Sequence, residues 1–407
     1  MSLQRARVLT ACSHRQPDQV PKGEFGIEPG LRQRLLGLLR KEQRIISHPD
    51  KNVPAPAGSW QNQGSDQANK LLTKSKSSES EEIEPPKSSF IHAESPKDQT
   101  DREMAELISV LAGLDMDLTA ANPYFAPRQD LGPDPRGRRR WLDFWGNEVI
   151  EVGASTGVVR PACSGIKELL NYAFPQLETV DFAMIKRWSQ ETPFFIFSQV
   201  PGPFSLLAGL TSFLDFLRFT ETNQLELKQL AAAAGQWLGD LLQACITAGA
   251  QGIVITEDLA YNRSPWIHIK VLRQVFWPAL AEMVELAKKA GVPVLLHCDG
   301  DVRSLLPEVA DLGFNGIHSL QPSAGVNLEV VKAEYGSRLC LMGNLDCDYL
   351  LPQGTVAEVE AATRETLRVG SPGGGFILSS SAGILSSDWP AENVLAMYRT
   401  AASGKFF

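Results

Sequence analysis

Short apolar runs recur along the chain at 115–121, 194–200, 252–256, 292–296, 316–320, 339–342 and 376–378. Between most of them, apolar residues fall three and four apart, the helical period, over 225–248, 267–290, 328–335 and 356–369. An extended segment at 20–27, set among turn residues, adds an eighth strand. Strands alternating with helices of this length predict parallel pairing, because a parallel crossover needs a helix. Eight such units closing on themselves make an α/β fold of the (β/α)8 type, a TIM barrel. An open doubly wound sheet fits the same alternation, since closure leaves no mark in the sequence. Further helices are predicted over 4–14, 31–46 and from Arg102 to near Gly113, the second with a stripe of Leu31, Leu35, Leu36, Leu38, Leu39 and Ile45. Residues 141–149 predict a hairpin turning on Gly146-Asn147.

One stretch breaks the pattern. Between about 47 and 101 the chain turns polar, and Lys74-Ser75-Lys76-Ser77-Ser78-Glu79-Ser80-Glu81-Glu82 has almost nothing to bury. Such a segment cannot offset its ordering entropy, and it is predicted as a disordered insertion or linker. A docking tail would have the same composition. The expected division is 1–46 as the first part of the barrel, 47–101 as the insertion, and 102–407 as the remainder.

The 407 residues are 43% hydrophobic, enough for a sizeable core, and carry a net charge of −8. This acidity argues against nucleic acid as the main partner. The cysteines at 12, 163, 245, 298, 340 and 347 form no C-x-x-C pair, so neither a zinc ribbon nor a disulfide framework is indicated, and reduced cytoplasmic thiols are expected. No apolar run reaches membrane-spanning length, and the first residues lack the apolar core of a signal peptide. The expectation is a cytoplasmic protein with no membrane partner.

The candidate chemistry gathers where strands end, the place α/β barrels put their active sites. Val292-Pro293-Val294-Leu295-Leu296 runs into His297-Cys298-Asp299-Gly300-Asp301. Residues two apart on a strand share a face, so His297 and Asp299 point together into the mouth and Cys298 away from it. Other strand ends offer Glu24, Asn122, Gln199, Glu257 with Asp258, Gln321, Asn344 with Asp346, and Ser379 to Ser381, Ser380 among them. His297, Asp299 and Asp258 are the candidate catalytic groups, and His297, Asp299 and Glu257 the candidate metal ligands. Glu24, Asn122, Gln199, Gln321, Asn344, Asp346 and Ser380 are candidates for binding a small substrate. Gly373-Gly374-Gly375 precedes a strand, the wrong order for a phosphate loop, and there is no nucleophile elbow, so no nucleotide cofactor is expected.

Several segments together resemble the uroporphyrinogen decarboxylase superfamily, which includes that decarboxylase and the corrinoid-dependent methyltransferases. They are Arg5-Ala6-Arg7-Val8-Leu9 with Pro17-Asp18-Gln19-Val20-Pro21, Pro201-Gly202-Pro203-Phe204, the His297 strand, Gly336 to Asp346, and Gly375-Phe376-Ile377-Leu378. The resemblance implies a (β/α)8 barrel. In the decarboxylase branch it implies arginines after the first strand and an aspartate in the cleft; here that strand continues Lys22-Gly23-Glu24-Phe25-Gly26-Ile27, and the aspartate position falls near Ala121-Asn122. In the methyltransferase branch it implies zinc held by His-x-Cys and a cysteine of the last strand. His297 matches the histidine, while Asp299 stands at the first cysteine and Ala382 at the second. A site without the two thiolates is harder, suited to zinc or another divalent metal with an oxygen or nitrogen substrate.

The resulting expectation is a methyltransferase in corrinoid-linked methyl transfer. The corrinoid would ride on a partner protein, since no Asp-x-His-x-x-Gly motif is present. The alternatives are a decarboxylase of a porphyrinogen-like or smaller carboxylate substrate, and a non-catalytic barrel serving as a binding subunit.

Overall fold

The structure, a computed structural model, describes residues 1–47, 101–152 and 155–403; apart from its end residues 47 and 101, the predicted insertion lies outside the described residues. The barrel strands are β1 (residues 22–23), β2 (Leu118–Ala120), β3 (Phe195–Pro201), β4 (Gly252–Thr256), β5 (Val294–Cys298), β6 (Gly316–Ser319), β7 (Cys340–Leu345) and β8 (Phe376–Ser380). From β2 to β8 each strand pairs in parallel with the next in the chain. The two remaining edges meet on β1, where Lys22 bridges Leu378 and Gly23 bridges Leu118. The Gly23 N–H donates to the Leu378 carbonyl at 3.1 Å, and the Asp117 N–H to that of Lys22 at 2.7 Å. The chain is therefore a closed (β/α)8 barrel, as the alternation predicts.

The first strand is shorter than expected. After Gly23 the chain bends inward, and Gly26–Ile27 pairs with Ile384–Leu385 instead. The bend lays Phe25 across the interior, its ring 6.0 Å from Phe197 and 4.8 Å from His318. The predicted hairpin forms the centre of a four-stranded antiparallel sheet (Gln129–Asp130, Arg140–Leu142, Glu148–Val152, Ser155–Arg160). Its turn is held by Asp143 Oδ1, which accepts the N–H groups of Trp145 and Asn147, with Gly146 at φ +90°. The helices lie close to their predicted positions: Leu3–Cys12, Pro29–Ser47, Asp101–Gly113, Gln224–Ala248, Leu328–Tyr335 and Val356–Gly370. The segment expected as one helix over 267–290 contains a π-turn at Leu272–Phe276 before Trp277–Lys289. No helix among the described residues is long and apolar enough to cross a membrane.

Two apolar layers follow from the pleat. On β5, Val294, Leu296 and Cys298 join the core between sheet and helices, and Leu295 faces the barrel interior. Phe195 and Phe197, Val254, Cys340, Met342 and Ile377 share that interior, and Val8, Ala11 and Cys12 of the first helix pack with them. Polar groups also anchor the N-terminal ends of the strands: Arg7 reaches Asp18 at 2.8 Å and Asp117 at 3.2 Å, and buried Lys22 reaches Asp115 at 2.7 Å. Burial pushes the Asp117 carboxyl up to about 6 despite Lys22 and Arg7.

Closure depends on a missing side chain. A Cβ at Gly23 would lie 2.5 Å from the Leu118 carbonyl oxygen and 2.7 Å from Leu118 Cγ. Overpacking a seam of this kind costs roughly 1–3 kcal/mol. Gly23→Ala should therefore lower the unfolding free energy measured by denaturant titration by that amount; an unchanged free energy would mean that β1 does not close the barrel.

Candidate active site

The strand end after β5 carries the reactive cluster. His297 shares the interior-facing side of the pleat with Leu295, one layer nearer the mouth. Its side chain is 12% exposed, that of Asp299 is 52% exposed, and Nε2 lies 3.9 Å from Asp299 Oδ1. Asp258, just past the end of the adjacent β4, joins them: one ligand atom from each of Asp258, His297 and Asp299 lies within 4.8 Å of the others. Cys298 is fully buried, its thiol turned to the Asp299 carbonyl at 3.3 Å and pushed well up by burial.

Beneath this cluster runs a buried polar column. His297 pairs in register with His318 on β6, and their Nδ1 atoms are 2.8 Å apart. His318 is fully buried, and burial, followed by the facing His297, lowers it well below the ordinary histidine range. Its Nε2 lies 3.3 Å from Ser379 Oγ. Ser379 in turn donates to Glu24 Oε2 at 2.8 Å. Glu24 also accepts the Ser380 N–H at 2.6 Å, the Ser380 hydroxyl at 3.0 Å and the Tyr398 hydroxyl at 2.9 Å. Burial outweighs these donors and pushes Glu24 up to about 7.

The other predicted residues divide by what they hold. Glu257 is not part of the cluster of Asp258, His297 and Asp299, so Asp258 takes the place expected for it. The Glu257 carboxylate accepts the N–H groups of Phe204 at 3.0 Å and Ser205 at 2.7 Å, at the start of the helix Pro203–Gly209. A Cβ at Gly202 would collide with that carboxylate, which accounts for the glycine between Pro201 and Pro203. Asn122 and Gln199 hold each other, at 3.0 Å and 2.9 Å. Gln321 accepts the Gly300 N–H at 2.8 Å and donates to Asp348 at 2.7 Å. Asn344 donates to the Leu320 carbonyl, and Asp346 caps the N–H groups of Tyr349 and Leu350. Ser380 sits with Glu24. Sequence reasoning missed His318 and Tyr398. A histidine inside the short apolar run 316–320 was the available signal, since a buried imidazole demands partners.

The family model for uroporphyrinogen decarboxylase (URO-D) matches residues 173–403, more than half of the chain. The chain belongs to the uroporphyrinogen decarboxylase family. Among curated relatives of this URO-D chain, the methylcobamide:CoM methyltransferase MtaA of Methanosarcina barkeri is 27% identical over 205 residues, 50% of this chain and 56% of that protein. A methylated-thiol–coenzyme M methyltransferase of Methanosarcina mazei is 25% identical over 214 residues, 53% of this chain and 54% of that one. The chain spans about half the length of these curated relatives. Among solved structures, a methyltransferase from Methanosarcina mazei has a TM-score of 0.63 at 18% identity, over 99% of this chain and 98% of that one, a likeness of fold. The URO-D match contains Asp258, His297, Asp299, His318, Ser379 and Tyr398; Glu24 lies before it.

Glu257 gives a pH-dependent test. Burial pushes it from about 4.5 up to about 7. The fold therefore favours the protonated group, and its contribution is full below about pH 4.5 and lost as pH rises through about 7. A shift of that size corresponds to roughly 3 kcal/mol. Glu257→Gln cannot titrate, so its stability should fall less than that of the wild type across this window. Equal pH slopes in denaturant unfolding would contradict the buried, raised carboxyl.

Proposed function

We propose that this URO-D family chain is a corrinoid-linked methyltransferase whose small acceptor binds at a divalent metal held by His297, Asp258 and Asp299. The observation that carries the reading is the imidazole with two carboxylates gathered at the ends of adjacent strands, at the mouth of the barrel. The activities of those relatives, methyl transfer from a methylcobamide and from methylated thiols to coenzyme M, support the reaction class. The corrinoid would be carried by a separate protein.

The donor set fits a metal. An ion about 2 Å from each donor brings donors to within about 4 Å of one another, so the 4.8 Å cluster needs only a small turn of the half-exposed Asp299. One nitrogen and two carboxylates form a harder site than a thiolate pair, which favours an acceptor with an oxygen or nitrogen nucleophile. A bound divalent ion would act as a Lewis acid that lowers the pKa of such an acceptor. The chain's own part is to hold His297 by its buried nitrogen and leave Nε2 toward the mouth. Asp299, the exposed member, would take the proton that the acceptor sheds.

The same charges disfavour uroporphyrinogen. A substrate with many carboxylates needs cationic partners, and Lys22, the lysine of the first strand, is buried and paired to Asp115. Incubation with uroporphyrinogen should yield no coproporphyrinogen at a useful rate; efficient decarboxylation would overturn the proposal.

His297→Ala should lower methyl transfer with a methylated corrinoid partner by at least about 10²-fold, the usual scale for a positioned acid, base or ligand. Circular dichroism and melting should stay close to the wild type. Asp299→Ala should behave nearly the same, and Cys298→Ala should remain active. If Cys298→Ala is the dead variant and Asp299→Ala is active, the thiol is the working group and the metal reading falls.

A further inference from the structure

We propose that Glu24, Ser379 and His318 form a buried relay that selects the Nδ1–H tautomer of His297, turning the lone pair of Nε2 toward Asp258 and Asp299. Its value to a metal rests on the function proposed above; its geometry does not.

The argument runs from the bottom of the column upward. Ser379 Oγ carries one hydrogen and has two acceptor oxygens beside it, Glu24 Oε2 at 2.8 Å and the Ser380 carbonyl at 3.0 Å. A carbonyl accepts only, and so does a carboxylate that already takes the Ser380 N–H and the Ser380 and Tyr398 hydroxyls. The serine hydrogen is thus spent on either oxygen. The third neighbour, His318 Nε2 at 3.3 Å, must then be the donor to Ser379. In a neutral imidazole this leaves the lone pair on Nδ1. That atom faces His297 Nδ1 at 2.8 Å. Two lone pairs do not approach so closely, so the hydrogen between the rings belongs to His297. Nε2 of His297 is left bare, 3.9 Å from Asp299 Oδ1.

The seat of His318 excludes a doubly protonated ring. A second hydrogen would make it an imidazolium with no exposed surface, packed against the ring of Phe25 at 4.8 Å. Gly383, at φ +73°, lets the ring in: a Cβ there would lie 2.9 Å from His318 Cε1 and 2.9 Å from Phe25 Cδ2. The relay also works against the local field. Beside two carboxylates, an unconstrained His297 would place its hydrogen on Nε2 and donate to them. The buried column takes that hydrogen to the other nitrogen, the state a metal ligand needs. Ser379, His318 and Glu24 are positioning residues on this account.

Histidine-selective ¹⁵N labelling of the full chain, metal-free, reads the tautomer directly. At about pH 8, above the value near 7 to which burial pushes Glu24, His297 should show a protonated-type Nδ1 and a lone-pair-type Nε2. The signals are assigned by loss in His297→Gln. Ser379→Ala should move His297 toward the Nε2–H tautomer and weaken zinc binding by about 10- to 100-fold. Ser379→Thr, which keeps the hydroxyl, should retain both properties. An Nε2–H tautomer in the wild type overturns the relay, as does an unchanged tautomer in a folded Ser379→Ala. The expected tautomers with no zinc bound by any of these proteins support the relay and overturn the metal reading instead.

Discussion

A carboxylate buried at the centre of a barrel is tolerable only if its oxygens are matched by donors, and this constraint shapes the upper half of the molecule. Glu24 follows β1, the two-residue strand that closes the sheet. Its oxygens take donors from β8 and from Tyr398 on the C-terminal helix Ala391–Ser403. The first strand, the last strand and the last helix are therefore tied together at one point. The same point anchors Ser379, which supports His318, which supports His297. What reaches the mouth depends on what is satisfied below it.

The interior is layered accordingly. Helix residues Val8, Ala11 and Cys12 join a band of strand residues that includes Leu118, Phe195, Val254, Leu295 and Met342. Above that band the inward positions become His297, His318 and Ser379, two residues beyond Leu295, Gly316 and Ile377 on their strands. At the end of β4 two acidic neighbours do different work. Glu257 binds backbone N–H groups and fixes the helix that follows β3, while Asp258 turns to the candidate metal cluster. The proposed function rests on this cluster of one imidazole and two carboxylates at the strand ends.

Much of the fold was legible because parallel strands buried on both faces are continuous apolar runs, and amphipathic crossovers have their own period. The start of the barrel was not. Residues 20–27 look like one strand, yet the bend at Phe25 answers to His318 and Gly383, which lie far away in sequence. Within the site, the nearness of His297 and Asp299 was expected from a spacing of two, although β5 ends at Cys298, one residue before Asp299. The partnership of His297 with His318 did not, because it depends on the register between strands. Glu257 and Asp258 were ambiguous for a related reason: β4 ends at Thr256, and beyond it the alternation of faces no longer governs direction.

The account holds that the centre at the mouth is built from one imidazole and carboxylates, with the thiols kept out of it. X-ray absorption at the zinc edge of the zinc-loaded protein tests this most directly. A first shell of light atoms alone, at about 2.0–2.1 Å, is the predicted result. A sulfur scatterer at about 2.3 Å would contradict it and put a cysteine thiolate in the site.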